Sequence, residues 1–244
     1  MKQPNFFLTG GILLTMVALQ AYILRHNDME NQNLLTESEK QAGWQLLFDG
    51  KSTKGWHNFN QKSTSDKWKV VNGELMMAEK GAGDLVTDAE FENFELELEW
   101  KISESGNSGI FYLVKEDPKY ATAWLTGPEM QVLDDDKHPD AKQGKDGNRT
   151  AGSLYDLIPA KDKKVNTVGE WNKVRIVVNK GKVEHWFNGD KVVTYDLNSQ
   201  VFTDLVAGSK FVKMPDFAKY RKGRIALQDH GDLVWFKNIK VKKL

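Results

Sequence analysis

From Phe94 to Trp100 the chain reads Phe-Glu-Leu-Glu-Leu-Glu-Trp, an unbroken alternation of apolar and acidic residues. A period of two suits a strand with one buried and one wetted face, and it cannot build the apolar stripe of a helix. Strand-length segments recur at Trp44–Phe48, Trp68–Val71, Glu74–Ala78, Ser108–Val114, Glu129–Leu133, Gly152–Leu157, Trp171–Asn179, Lys182–Phe187, Lys191–Tyr195, Arg224–Gln228 and Val234–Val241. Two connections have hairpin chemistry: Asn188-Gly189, which suits a type I′ turn, and Asn179-Lys180-Gly181. They predict an antiparallel meander over residues 171–195. One helix is expected from Ser199 to Ala207, with Ser199 as its cap and Phe202 and Leu205 as its apolar stripe. A dozen strands with no repeating blade predict an all-β fold, a two-sheet antiparallel jelly-roll sandwich with few short helices.

The 244 residues balance 34 Lys and Arg against 34 Asp and Glu, so bulk charge recruits no nucleic acid. The absence of Cys excludes disulfides, thiolate catalysis, Cys-bound zinc and a lipoprotein cysteine. Lys2 precedes an uncharged stretch from Phe6 to Leu24 that ends at Arg25. Residues 1–24 are therefore expected to be a signal peptide or an N-terminal membrane anchor, and the sequence leaves both readings open. Either way the rest of the chain is expected outside the cytoplasmic membrane, as a periplasmic, extracellular or envelope-associated protein. A polar linker over residues 25–42, with at most a short helix, leads to the folded domain, 43–244.

Candidate functional residues come from strands whose two faces differ in chemistry. In Glu129-Met130-Gln131-Val132, Met130 and Val132 point to one face, Glu129 and Gln131 to the other. Ile225 and Leu227 are likewise opposed to Gln228 and His230. A carboxylate placed this way can be raised in pKa by burial toward a working base; the alternative is a solvated strand carboxylate. His230, followed by Gly231 at a strand end, is a candidate acid/base, oxyanion donor or metal ligand. His185 shares a face with Val183 and Phe187 and is expected to be a satisfied core or groove-floor histidine. Asp134, Asp135, Asp136 and His138 form an acidic run that could hold a hard cation, but the spacing matches no calcium loop and a solvated turn containing Pro139 is the better reading. Arg149 lies in a Gly- and Lys-rich loop that could reach over a groove and hold a substrate oxygen, with a flexible surface loop as the equal alternative.

These segments, in order, resemble the 3-keto-disaccharide hydrolase domain family: Leu47-Phe48-Asp49-Gly50-Lys51 with Gly55-Trp56, Asn107-Ser108-Gly109-Ile110-Phe111, Glu129 to Asp134, Gly169-Glu170-Trp171-Asn172, His185 to Gly189, and Gly223 to Gly231. The resemblance implies a concanavalin-like sandwich. It also implies an enzyme or binding protein for sugars whose C3 hydroxyl has become a ketone. On that basis Glu129 and His230 are the expected catalytic pair. Gln131, Gln228, Asp134, Arg149 and Tyr155 are the expected substrate-binding residues. A carbohydrate is the expected partner, membrane attachment through the N-terminal segment is a second, and no cofactor is demanded, although a divalent cation is compatible.

Glu95, Glu97 and Glu99 are not expected to act as a glucanase pair. Alternate strand residues stand ~6.6 Å apart and the outer two ~13 Å, whereas a retaining pair needs ~5 to 5.5 Å. A ketone at C3 needs no such pair, because it acidifies the hydrogen on C2. One base then suffices for elimination at C1, and hydration of the product gives net hydrolysis. A non-catalytic carbohydrate-binding sandwich is the competing reading, and a purely structural adhesion role is a third.

Overall fold

The structure, a computed structural model, describes residues 32–244. Thirteen strands form two antiparallel sheets. The larger sheet runs β11-β10-β9-β6-β13-β4-β3, with β1 pairing to β13; the smaller runs β2-β5-β12-β7-β8. In chain order the strands are β1 (Trp44–Leu46), β2 (Trp56–Asn58), β3 (Trp68–Val71), β4 (Glu74–Met77), β5 (Leu85–Thr87), β6 (Phe94–Ile102) and β7 (Asn107–Val114). They continue as β8 (Glu129–Leu133), β9 (Asn172–Asn179), β10 (Lys182–Phe187), β11 (Asp190–Asp196), β12 (Arg224–Leu227) and β13 (Val234–Lys243). Among the described residues the α-helices are α1 (Glu37–Gln41) and α2 (Gln200–Ala207). The expected all-β sandwich is therefore observed.

Strand alternation sets the sandwich. Phe94, Leu96, Leu98 and Trp100 of β6 are buried against Ile110 and Tyr112 of β7, Met130 and Val132 of β8, and Ile225 and Leu227 of β12. On the outer face of the large sheet Glu95, Glu97 and Glu99 pair with Lys242, Lys240 and Lys237 at 3.2, 3.3 and 3.6 Å. They are a charged outer face, as their spacing predicted. The β9–β10–β11 meander turns at Lys180-Gly181 and Asn188-Gly189, and all four residues have positive φ. Ser199 caps α2 by accepting from Phe202 N at 3.1 Å.

The structure departs from expectation in three places. β2 and β5 have three residues each and show too little alternation to be read as strands. Gly152–Leu157 is not a strand. It flanks β8, with Tyr155 N donating to Glu129 O and Gly152 N to Gln131 O, but Gly152 and Asp156 take positive φ and turn the chain away. The polar segment before Gly43 is tied to the large sheet. Asn33 is buried, exchanges backbone-to-side-chain hydrogen bonds with Asn238 at a bulge in β13 and donates to Gly73 O, while Glu39 of α1 pairs with Lys240. The expected signal or anchor segment, 1–24, lies outside the described residues.

Candidate active site

The outer face of the small sheet is apolar at one end and polar at the other. At the apolar end Val86, Phe111, Val114 and Ala226 are roofed by Tyr120, Ala123 and Leu125 from the loop between β7 and β8. At the polar end Asn107, Glu129, Gln131 and Gln228 floor a pocket of about 200 Å³, walled by Trp124, Tyr155, Lys210, Phe211 and His230. Five of the seven residues singled out in the sequence thus share one pocket.

Glu129 is buried because β8 lies between β7 and the 152–155 segment, and room for its carboxyl comes from β7. A Cβ on Gly109 would overlap Glu129 Oε1. Burial pushes the Glu129 carboxyl up to about 8. The Lys210 ammonium opposes this, while Asp84 and Asp140 add to it. With its amino group turned to the carboxylate, Gln131 donates to Glu129 Oε1 at 3.0 Å and to Ser108 O at 3.1 Å. Such an environment keeps a proton on the carboxyl near neutrality and makes its ionised form a strong base.

The other groups are arranged to meet a polar ligand. Gln228 Oε1 is buried with no hydrogen-bond partner among the described residues, so an acceptor awaits a hydroxyl there. The Lys210 ammonium stands 4.2 Å over the Tyr155 ring, and its pKa is lowered by desolvation. Tyr155 donates to Asp140 at 2.8 Å, so its hydroxyl is held by the protein. His230 is exposed at the mouth, 3.4 Å from the Asn107 amide.

Asp134 and Arg149 are not part of this pocket. Asp134 is buried and accepts from the backbone N–H groups of Ser105, Asp136 and Lys137, which makes it the organiser of the turn after β8. Arg149 does not reach over the groove. Its guanidinium is drawn behind Tyr155 by Asp140 and Asp156, at 2.8 and 2.6 Å, and supports the wall from outside. His185 is the core histidine anticipated. It contacts Tyr112 Oη at 2.7 Å and Gly152 O at 3.0 Å, and burial lowers its pKa to about 4.

His138, His230 and Asp232 place ligand atoms within 4.8 Å of one another at the pocket mouth, a set able to hold a divalent cation. The acidic run contributes only His138 to it. Asp134 turns to backbone N–H groups, and Asp135 pairs with Lys163 at 2.7 Å and accepts from Ala151 N.

Sequence reasoning missed Asn107, Trp124, Lys210, Phe211 and Asp84. Asn107 had a signal, because it alternates with Gly109 on the face that carries Glu129. Trp124 and Lys210 come from single 3-10 turns, Ala123–Leu125 and Lys210–Lys213, too short for periodicity to mark them. Asp84 accepts from Asp229 N and Ala123 N, so it ties the end of β12 to the loop carrying Trp124, and burial raises it to about 6.

The chain is similar to a 3-keto-disaccharide hydrolase of Bacteroides thetaiotaomicron, at 40% identity over 91% of this chain and 84% of the relative. A crystallised Parabacteroides distasonis protein described as a candidate glycosyl hydrolase superposes with a TM-score of 0.81 at 36% identity, covering 88% of this chain and all of that one. A second protein of the same description and organism gives 0.60 at 29% identity, over 82% of this chain and 99% of that one. Residues 43–242 match the model of the 3-keto-alpha-glucoside-1,2-lyase-like domain, and the chain belongs to that family.

Proposed function

We propose that the protein cleaves 3-keto-glycosides, with Glu129 as the base that removes the hydrogen from C2. The observation that carries this reading is a single buried carboxyl, raised to about 8, on the floor of a polar pocket whose volume suits one sugar ring. Chemistry with two carboxylic acids flanking a glycosidic oxygen finds no counterpart there.

The ketone at C3 makes the C2 hydrogen acidic, and ionised Glu129 takes it. The electron pair of the broken C–H bond moves into an enolate with its charge on O3, and Lys210 is the cation near enough to Glu129 to stabilise that charge. Collapse of the enolate expels the leaving group from C1, and the departing oxygen takes a proton, for which His230 at the mouth is the candidate donor. The unsaturated 3-keto sugar that remains adds water across C1 and C2, which completes a net hydrolysis. Gln228 accepts from a sugar hydroxyl, and Gln131 holds the Glu129 carboxylate in place.

The experiment offers the purified protein a glucoside and its 3-keto derivative, following aglycone release and ultraviolet absorption of an enone. Release from the keto sugar alone, with transient enone, is expected. Turnover of the unoxidised glucoside with none of the keto sugar would remove the proposal, and saturable binding without product would make the domain a carbohydrate-binding module.

A further inference from the structure

Lys210 lines two cavities. One is the pocket above Glu129; the other is an open cleft of about 600 Å³ between α2 and residues 144–157. The pocket, at about 200 Å³, lies below the ~300 Å³ at which ligand sites for larger molecules begin, so it holds one ring and leaves the group on C1 outside. We infer that the cleft beyond Lys210 binds the leaving group, and that a second hexose is the occupant it fits; this rests on the function proposed above.

The lining supports that occupant. Leu157, Leu205 and Val201 supply an apolar floor suited to the C–H face of a sugar. Asp156 and Asp204 stand at its edges. Each has one oxygen engaged, by Arg149 at 2.6 Å and by Gln200 at 2.7 Å, and the other has no hydrogen-bond partner among the described residues. Carboxylate oxygens in this position accept from sugar hydroxyls. Val201 is 71% exposed, an uncovered apolar side chain that a ligand would shield. Lys210, with the sequence neighbours Tyr155 and Asp156, separates the two cavities, so a glycoside whose keto ring sits over Glu129 reaches the cleft past the Lys210 side chain.

The test compares a 3-keto-disaccharide with methyl 3-keto-glucoside, using Val201→Trp to fill the cleft and Asp204→Ala to remove an acceptor. Val201→Trp is expected to raise KM for the disaccharide about tenfold, the loss of ~1.4 kcal/mol of binding, and to leave KM for the methyl glycoside within about twofold. Asp204→Ala is expected to act in the same direction and more weakly. The same two ligands titrated calorimetrically into Glu129→Gln protein, with and without Val201→Trp, read the cleft without turnover. A failure of the catalytic proposal is thereby kept apart from a failure of this one. Unchanged disaccharide binding in both cleft variants would overturn the assignment. So would a selective disaccharide defect in Trp124→Ala alone, which would place the leaving group at the opposite mouth.

Discussion

Burial reverses the ordinary acidity of Glu129, and two measurable consequences follow. Its pKa in the folded chain, about 8, exceeds the ordinary 4.5, so the folded state retains the proton across that interval. The stability this carboxyl contributes is therefore fully present below pH 4.5 and is lost as pH rises toward 8. Glu129→Gln removes this slope, and chemical denaturation across the interval should show the variant gaining on the wild type as pH rises. The same substitution should lower turnover by roughly 10²- to 10⁴-fold while binding of the keto sugar persists; an unchanged rate would reassign the base. The second consequence concerns Lys210, which pulls the Glu129 pKa down. Lys210→Met should move the acidic, rising limb of the kcat/KM profile to higher pH, and a limb that stays in place would separate the lysine from the carboxylate electrostatically. The chemical identity of this site was legible because alternation alone places Glu129 and Gln131 opposite Met130 and Val132. Arg149 was not legible, because a guanidinium in a loop follows whichever carboxylates surround it, here Asp140 and Asp156.

At the scale of elements, the pocket depends on two strands fitting closely. β7 presents Gly109 beneath the Glu129 carboxyl, so Gly109→Ala would force that side chain to move. Overpacking of this kind costs about 1–3 kcal/mol, and activity is expected to fall more than stability because the displaced group is the base. Thermal denaturation beside a rate assay checks this; normal turnover in a folded Gly109→Ala protein would contradict the role given to the strand glycine. The bulge in β13 makes a comparable demand on Asn33, which satisfies Asn238 across the chain. Asn33→Ala should cost about 1–3 kcal/mol, measured by denaturant unfolding, and a chain starting at residue 43 should lose at least as much. Strong alternation made β6, β8 and β10 visible in the sequence. The three-residue strands β2 and β5 are held by their neighbours rather than by any pattern of their own.

On the scale of the whole molecule, the large sheet turns an ion-paired face outward, while the small sheet floors the pocket and relies on loops to wall it. Lys210 and Trp124 reach the pocket because the chain folds back over β7 and β8, a long-range placement that local sequence does not encode. Residues 1–24 carry the further expectation of export, and the intact mass of the exported protein distinguishes a cleaved signal from a retained anchor. The central claim is that Glu129 breaks a C–H bond at C2, which isotopic substitution of that hydrogen reads directly. Aglycone release from a 3-keto-glucoside carrying deuterium at C2 should be slowed by a primary isotope effect in single turnover, and Glu129→Gln should abolish exchange of that position with solvent. Release at the same rate from both isotopologues in single turnover, with solvent exchange at C2 undiminished in Glu129→Gln, would contradict it.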